Sequence, residues 1–342
     1  MRRVRLVALL ACLLTALAIA PGASQAGSKR SWAQPQIKTV VARGLLASSV
    51  NSFRPNDPLT QGELRDLVAG LTGQPPQGAT NPQTPATMAQ LDARLVRALG
   101  LGDAAATFNE WAAAAGLRPP ARFGTEVVAR LLGLRTNHPA GQDELERLPS
   151  EPAPRAEAAY SAAQYLRLSQ SQVQAAEDAA LTFELPVLTP WQRRVLTTAV
   201  GFIGYPYVWG GEFERPQSPY GPQVRGGFDC SGFAWRLYKI QSYPGAPQLS
   251  TILRGRTAAA MAGEVPRRLR VKRAQLQPGD LLFFGPGGRN ARPAQVDHEA
   301  IYLGNGWLIQ SSGYGVALTQ LTGWYDTRLA WGRRPLAEAG LQ

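Results

Sequence analysis

The chain has 342 residues and a formal net charge of +12 at pH 7, with two cysteines and two histidines. This length can hold two ordinary domains, each with a core of its own. The positive charge favours anionic partners, although a well-solvated basic surface accounts for it equally well. We find no nucleic-acid motif and no cluster of basic residues interleaved with aromatic ones, which argues against a nucleic-acid-binding protein.

The first 26 residues have the pattern of an export signal. Three arginines lie within the first five positions, an apolar run extends from Leu6 to Ala20, and a small-residue cleavage site ends at Ala26. The run is shorter than the ~20 residues that span a bilayer, which argues against a retained anchor. Lipidation at Cys12 is a further alternative. We therefore predict a signal peptide at 1–26 and a secreted protein without stable membrane insertion.

Removal of the signal peptide takes Cys12 with it and leaves Cys230 as the only thiol. An exported protein with one thiol has no internal disulfide, and its unpaired cysteine is exposed to oxidation. A buried, inert cysteine is the ordinary alternative. Export and the surroundings of Cys230 favour a reactive thiol instead.

Residues 35–168 are predicted to form an all-α domain of short helices. Their apolar residues recur at helical spacing, and loops rich in Pro, Gly and Asn separate the helices. Thr60 is followed by Glu63, and Thr87 by Gln90, at the spacing of capping boxes, in which each side chain bonds to the other residue's amide.

The segment from Phe53 to Glu63 resembles the signature of S-layer homology (SLH) domains. Thr87 to Gln90 and Pro154 to Glu157 stand where a second and a third repeat would begin. The resemblance implies a wall-associated protein that binds anionic wall polysaccharide through this domain. A helical spacer without a ligand is the alternative.

The composition changes after this helical region. Residues 169–186 are predicted to be a linker. From residue 187 to about 335, Trp, Tyr and Gly become frequent, and short apolar runs are bounded by Pro and Gly. This pattern is typical of a mixed α/β domain.

Cys230 lies in the run from Gly227 to Phe233, just before apolar residues at helical spacing. We predict that it occupies the first turn of a buried helix that Asp229 caps. The free amides and the positive end of the helix dipole there lower the pKa of a thiol. The carboxylate of Asp229 opposes this effect, so we expect its charge to be occupied elsewhere, for example by a cationic group of a substrate.

His298 is the predicted base. The other histidine, His138, lies in a loop where a solvated surface position is the default. His298 begins an apparent strand that ends at Gly304-Asn305-Gly306 and is followed by a second strand, which is a hairpin pattern. A two-residue loop would place Ser311 on the His298 face, and a three-residue loop would place Gln310 diagonal to it. The residue that orients the imidazole could therefore be Ser311 or Gln310, and spacing does not decide between them.

Metal catalysis is not predicted, because no second His or Cys ligand stands at a usual spacing from His298. We predict no metal and no cofactor. Asp280 is interpreted as structural, in a turn that leads into a buried strand.

Four motifs in residues 187–335 resemble the NlpC family of cell-wall cysteine peptidases, which have a papain-like α+β fold. They are Pro206-Tyr207-Val208-Trp209-Gly210-Gly211, Asp229-Cys230-Ser231-Gly232-Phe233, Leu276-Gln277-Pro278-Gly279-Asp280-Leu281 and His298 to Gly306.

The resemblance implies that Cys230 is the nucleophile, His298 the base and Gln310 the third polar residue. It also implies that Tyr207, Asp229 and Ser231 contact the stem peptide of peptidoglycan. The bond cut would be γ-D-glutamyl to diamino acid, or L-Ala to D-Glu. Alternatives are a wall-binding structural protein without activity, and an acyltransferase or amidase with the same thioester chemistry.

The chain departs from the family pattern at three places. Gln310 stands where His is more frequent, and Glu299 follows the catalytic His where an apolar residue is usual. Residues 215–225 form an apparent insertion before the nucleophile.

Overall fold

The computed structural model describes residues 30–78, 81–138, 146–223 and 225–341. The predicted signal peptide, residues 1–26, lies outside the described residues together with Cys12. Within the described part, no helix combines the length and the apolar character needed to cross a bilayer. A helical N-terminal region precedes a region of helices and antiparallel strands, which confirms the predicted α+β fold class.

The N-terminal region consists of helices whose starts are set by local sequence. Thr60 and Glu63 form the predicted capping box, and Thr87 and Gln90 form a second one. The helices are α1 (Gln34–Val41), α2 (Gln61–Thr72), α3 (Met88–Ala98), α4 (Gly102–Ala114), α5 (Phe123–Leu131), α6 (Arg155–Tyr165), α7 (Gln170–Thr182) and α8 (Pro190–Gly201).

The chain segments that lead into α2, α3 and α6 meet in a closed ring of backbone hydrogen bonds. Leu59 donates to the carbonyl of Ala153 at 2.7 Å, Ala153 donates to Ala86 at 2.8 Å, and Ala86 donates to Leu59 at 2.8 Å. All three residues are fully buried, so each amide is satisfied by the next segment of the ring rather than by water. The three positions that the sequence marked as repeat starts therefore lie together, while the SLH resemblance itself stays a prediction.

From its position in a loop, we expected His138 to lie at the surface. It lies instead in the core of this region. Only 5% of the residue is exposed. Its Nε2 lies 2.6 Å from a carboxylate oxygen of Glu157, and its Nδ1 lies 3.5 Å from Glu146. The ring of Trp32 lies over the imidazole, with centroids 4.1 Å apart. The surface prediction was wrong because a loop can be buried when its polar groups find charged partners inside the protein.

The C-terminal region contains a five-stranded antiparallel sheet in the order β8-β7-β6-β5-β9. Its strands are β5 (Leu281–Phe284), β6 (His298–Gly304), β7 (Trp307–Ser312), β8 (Gly315–Gln320) and β9 (Leu329–Arg333). Four short strands precede them, β1 (Glu212–Phe213), β2 (Gln217–Ser218), β3 (Gly221–Pro222) and β4 (Gly227–Phe228). The helices are α9 (Cys230–Trp235), which continues as a π-helical turn (Arg236–Ile240), α10 (Leu249–Ile252), α11 (Ala258–Gly263), α12 (Gly323–Arg328) and α13 (Pro335–Glu338).

Both faces of this sheet are covered. All four residues of β5 are buried, because the strand lies between β6 and β9 and packs on both sides. Phe283 and Ile301 belong to the large core that includes α9, and Leu282 and Ala300 belong to a smaller cluster on the opposite face. The alternation along β6 therefore decides which side chains lie next to α9.

The helical region and the sheet are joined by direct contacts. Residues 169–186, predicted as a linker, contain α7 and then Phe183, which is fully buried and packs edge-on against Trp307 of β7. Arg130 of α5 donates to the carbonyl oxygen of Gly204 at 2.6 Å. The predicted domain boundaries stay a prediction, although the segment between them is a packed helix rather than an open tether.

Candidate active site

Cys230 is the first residue of α9, as predicted. Asp229 is extended (φ −80°, ψ 177°) and its side chain accepts from the amide of Gly232, so it caps the helix. A Cβ on Gly232 would lie 1.8 Å from the carbonyl oxygen of Gly211. Only glycine therefore allows the helix to approach the preceding loop closely enough to present Cys230 at its start.

The charge of Asp229 is compensated within the protein. The Arg256 guanidinium lies 3.0 Å from the Asp229 carboxylate and 2.9 Å from that of Glu212. Arg256 also donates to the hydroxyl of Ser231 at 2.9 Å. Arg256 was missed in the sequence because it lies 27 positions beyond Asp229, in a stretch without a local pattern that ties it to the cap.

The thiol of Cys230 is neutral at rest. Its pKa is raised to about 12, first by burial and then by the carboxylates of Glu299 and Asp229. The amides of Glu299 and Ser231 hydrogen-bond to the sulfur and partly offset this effect. We expected the helix start to lower this pKa, and that expectation was wrong because desolvation outweighs the amides.

His298 begins β6, where it is half-buried, and its Nε2 bonds to the side-chain oxygen of Gln310. Burial is the main cause that lowers the pKa of His298, and the bond to Gln310 opposes it. The imidazole is therefore neutral around pH 7. A hydrogen on Nε2, donated to Gln310, leaves Nδ1 as the basic nitrogen.

The β6–β7 hairpin settles which residue lies beside His298. Ile301 pairs with Ile309 and Tyr302 with Leu308, which is the register of a three-residue loop. Gly304 pairs with Trp307, so the turn itself is Asn305-Gly306, and an irregularity between Tyr302 and Gly304 shifts the register by one residue. Gly304, Asn305 and Gly306 all have positive φ. This register places Gln310 beside the imidazole. Ser311 instead lies on the other face, where its hydroxyl donates to the carbonyl of Phe228 at 2.6 Å.

Two further side chains fix the amide of Gln310. Its NH₂ group donates to the Thr319 hydroxyl at 3.0 Å and to the hydroxyl of Tyr325. Because both donors point to these hydroxyls, the amide oxygen faces His298. Thr319 lies on β8 and Tyr325 on α12, and neither was identified from the sequence.

The backbone brings the two reactive residues to one corner of the fold. Helix α9 packs against β6, and the sulfur of Cys230 accepts from the amide of Glu299, the residue that follows His298. The peptide between His298 and Glu299 thus lies directly beside the thiol. The described contacts of the imidazole are Gln310 and the rings of Phe284, Trp324 and Tyr325.

Comparison with known proteins agrees with this geometry. Residues 204–334 match the model of the NlpC/P60 family. This stretch is an NlpC/P60 domain. Over 134 residues the chain is 37% identical to murein DD-endopeptidase MepH of Escherichia coli strain K12, covering 39% of this chain and 41% of that protein. It is 31% identical over 130 residues to a γ-D-glutamyl-L-lysine dipeptidyl-peptidase of Bacillus subtilis strain 168, covering 37% of this chain and 34% of that one.

A solved NlpC/P60 family structure from Bacillus cereus ATCC 10987 is 28% identical, with a TM-score of 0.33, and covers 45% of this chain and 43% of that one. The chain spans less than half the length of each of these proteins. The match to the family therefore concerns the domain that holds Cys230 and His298.

A cavity of about 560 Å³ opens beside Cys230 in the NlpC/P60 domain. Tyr207, Asp229 and Ser231, the predicted substrate contacts, line it together with Cys230. The insertion at 215–225 also reaches it, since Tyr220, Gly221, Pro222 and Gln223 form part of its wall. This segment therefore borders the same cavity as Cys230.

Glu299 is the most unusual residue of the NlpC/P60 domain. Its side chain is 0% exposed, and neither carboxylate oxygen has a hydrogen-bond partner among the described residues. Burial first, and then the charge of Asp229, raise the pKa of Glu299 well above its usual range. Burial without a hydrogen-bond partner among the described residues therefore favours the neutral form of the Glu299 carboxyl group.

Among the described residues, one group of side chains has the spacing of metal ligands, His138, Glu146 and Glu157, and it lies in the helical region. The two nitrogens of His138 face different carboxylates, 3.5 Å and 2.6 Å away. A metal ion would need one nitrogen and both carboxylates to face the same point. The group is better described as a buried ion-pair cluster.

Proposed function

We propose that the protein is a peptidoglycan endopeptidase that cuts stem-peptide amide bonds through a thioester on Cys230. One observation carries the proposal: Cys230 starts α9 directly beside the peptide that follows His298, and His298 is held by Gln310. The names of the two curated relatives, a murein endopeptidase and a γ-D-glutamyl-L-lysine peptidase, support the same substrate class.

The first step joins proton transfer to attack. Cys230 and His298 are both neutral at rest, since the pKa of the thiol is raised and that of the imidazole is lowered. Nδ1 of His298 takes the S–H proton as the sulfur bonds to the carbonyl carbon of the scissile amide. The carbonyl π electrons move onto oxygen, and the imidazole becomes an imidazolium that Gln310 orients by accepting from Nε2.

The second and third steps release the products. As the carbonyl re-forms, the C–N bond breaks and the leaving nitrogen takes the proton from Nδ1, so a thioester and a free amine result. Water then attacks the thioester carbonyl while His298 accepts its proton. The C–S bond breaks, the sulfur regains a proton, and the acid leaves.

The substrate lies in the cavity beside Cys230. Asp229 and Ser231 meet the free amino end of a stem peptide, and Tyr207 packs against it. Arg256 holds the Asp229 carboxylate when the site is empty, so an incoming ammonium shares that carboxylate with a guanidinium. Because residues of the insertion form one wall, the cavity favours a narrow peptide end over the middle of a broad chain.

The scissile bond is γ-D-glutamyl to diamino acid, or L-Ala to D-Glu. The enzyme is secreted by means of residues 1–26 and acts in the cell wall. The helical region, residues 35–168, holds it there by binding anionic wall polysaccharide.

Mass spectrometry of digested peptidoglycan tests the proposal. The purified protein should release stem-peptide fragments, and the masses of these fragments identify the bond. Cys230→Ala should release none. Ser242→Ala, on an exposed turn after α9, is the matched control and should give the products of the natural chain.

Identical products from the natural chain and Cys230→Ala would sink the proposal. Absence of products together with failure of an electrophilic thiol probe to label Cys230 would instead favour a wall-binding protein. If an added amine is incorporated at the cleaved carbonyl in preference to water, the protein is an acyltransferase.

A further inference from the structure

A second large cavity lies at the edge of the sheet formed by β9. Its volume is about 780 Å³, and its walls come from Arg267, residues 270–273, the loop 287–290, the end of α12 and β9. It shares no lining residue with the cavity at Cys230. The site therefore has no place in the mechanism proposed above.

Cationic side chains dominate this cavity. Arg267, Arg270, Lys272 and Arg289 line it, and among the described residues none of the four has a carboxylate within ion-pair distance. This sets them apart from arginines elsewhere in the domain, such as Arg333, which contacts two glutamates. Arginines that face one cavity without acidic partners repel one another, and an anion removes that repulsion.

Counting the ion pairs around the cavity shows that its positive charge exceeds its negative charge. A fifth cation, Arg273, also lines it and is paired with Asp326 at 2.7 Å. Among the described residues that line the cavity, Asp326 is the only one with a carboxylate. The pKa of Arg270 is lowered, first by burial and then by the neighbouring charge of Arg267, which is the expected sign of uncompensated positive charge.

One guanidinium is held in place before any ligand arrives. Arg270 lies over the ring of Trp331, with 3.6 Å between its central carbon and the ring centroid. Stacking fixes the plane of the guanidinium, and its Nε donates to the carbonyl oxygen of Val265 at 3.4 Å. The N–H groups of the two terminal nitrogens are left for a planar, two-point contact. Trp331 is itself only 4% exposed, so it offers no open face on which a nucleic-acid base could stack.

We propose that this cavity binds phosphate groups of a phosphodiester-linked wall polymer, with Arg267, Arg270, Lys272 and Arg289 as the cationic contacts. Guanidinium groups match phosphate oxygens in two-point contacts, and lysine adds a mobile point charge. The polar side chains of Asn290 and Thr327 in the same wall suit the hydroxyls of a polyol or sugar. A wall polymer bound in this cavity would hold the domain at the wall and leave the cavity beside Cys230 open to substrate.

Part of this cationic cluster is visible in the sequence. Residues 267–273 read Arg-Arg-Leu-Arg-Val-Lys-Arg, with five cations in seven positions. We read the positive charge as spread over the surface. Arg289 joins the cluster only because its loop folds back toward β9, and the tryptophan beneath Arg270 lies about sixty positions further along the chain.

Calorimetric titration with polyglycerol phosphate tests the proposal. Arg267→Gln/Arg289→Gln removes one charge from each side of the cavity and should weaken binding at least about tenfold, because two charge-assisted contacts are lost. The slope of log affinity against log salt should fall by about two. The matched control, Arg254→Gln/Arg268→Gln, removes two exposed arginines outside the cavity and should change affinity less than about twofold.

Three results would overturn the proposal. The first is equal weakening by both double variants, which means that only net charge matters. The second is equally tight binding of polygalacturonate with the same number of charges, which means that phosphate is not recognised. The third is equally tight binding of a single-stranded DNA oligonucleotide with the same number of phosphates.

Labelling of Cys230 by a thiol probe and thermal melting check that both double variants are folded. These readouts do not depend on the cavity. The Cys230→Ala variant can fail to digest the wall and still bind polyglycerol phosphate. The two proposals therefore succeed or fail separately.

Discussion

The two histidines of the chain lie in regions that shift the pKa of the same side chain in opposite directions. In the helical region, burial alone would lower the pKa of His138, but the hydrogen bond and charge of Glu157, and then the charge of Glu146, raise it. In the NlpC/P60 domain, burial of His298 is opposed mainly by a neutral amide, and its pKa is lowered. A buried imidazole is a cation where it meets carboxylates and a base where it meets an amide.

The carboxyl groups of Glu157 and Glu299 show the same contrast. Burial opposes ionisation of Glu157, but Arg135 and then His138 outweigh it, so its pKa is lowered. Glu299 lacks such partners among the described residues, and its pKa is raised well above its usual range. The buried charge of Glu157 is therefore paired and supports the fold. The acid near Cys230 has no hydrogen-bond partner among the described residues, and burial favours its neutral form, as is frequent at functional sites.

The largest expected effect separates the two histidines by activity. His298→Ala should lower kcat/KM for a stem-peptide substrate by about 10²- to 10⁴-fold, because the base that accepts the thiol proton is lost. The measurement is steady-state release of peptide at pH 7, with melting temperature as a check of folding. His138→Ala is the matched control, and an equal loss in that variant would refute a special role for His298.

The second prediction is that His138, unlike His298, contributes to the free energy of unfolding in a pH-dependent way. His138→Ala removes one partner of a buried ion pair and should cost about 3 kcal/mol of unfolding free energy at pH 6. A pKa raised in the folded state gives stability that is complete below pH 6.5 and is lost as pH rises through the raised value. Glu146, whose pKa is raised to about 7, acts in the same direction.

Urea unfolding at pH 6 and pH 9 measures this difference. The natural chain should exceed His138→Ala in stability by more at pH 6 than at pH 9. His298→Ala is the control here, since the pKa of that histidine is shifted the other way. A stability gap for His138→Ala that widens toward pH 9 would contradict the ion-pair description.

The smallest effect concerns Glu299. Its charge is one cause of the raised pKa of Cys230, so Glu299→Gln should lower that pKa below about 12. The rate at which an iodoacetamide probe labels Cys230 should rise a few-fold at alkaline pH, because the amide of the variant carries no negative charge beside the sulfur. Glu184→Gln, an exposed carboxylate before the domain, is the control. No change in the labelling profile would show that Glu299 does not act on the thiol.

Cys230 begins a helix and His298 begins a strand, as the sequence predicted, whereas their surroundings were predicted less well. Cys230 and His298 emerged from counting thiols and histidines, and Gln310 from the family resemblance. The positive φ values of Gly304, Asn305 and Gly306 decide the register that puts Gln310 in place. Glycines permit that loop but do not require it, so spacing alone could not choose between Gln310 and Ser311.

The residues that were missed share a physical reason. Three side chains reach the site from other elements: Arg256, Thr319 and Tyr325. The local sequence around a polar side chain in a loop or strand does not indicate which distant residue it contacts. The surface prediction for His138 failed for the same reason, since Glu157 lies 19 positions away. Burial reversed the expected direction of the Cys230 pKa shift, because a helix start lowers the pKa of a thiol only where solvent or a cation is near.

The ring of hydrogen bonds among Leu59, Ala86 and Ala153 has a consequence for how this chain can change in evolution. Each segment supplies the donor for one neighbour and the acceptor for the other. Deletion of one segment leaves a buried carbonyl and a buried amide without partners in the two that remain, at a cost of about 1–3 kcal/mol for each group. A fourth segment has no open position to join. Closure of the ring therefore couples the three segments, so that loss of any one of them destabilises the other two.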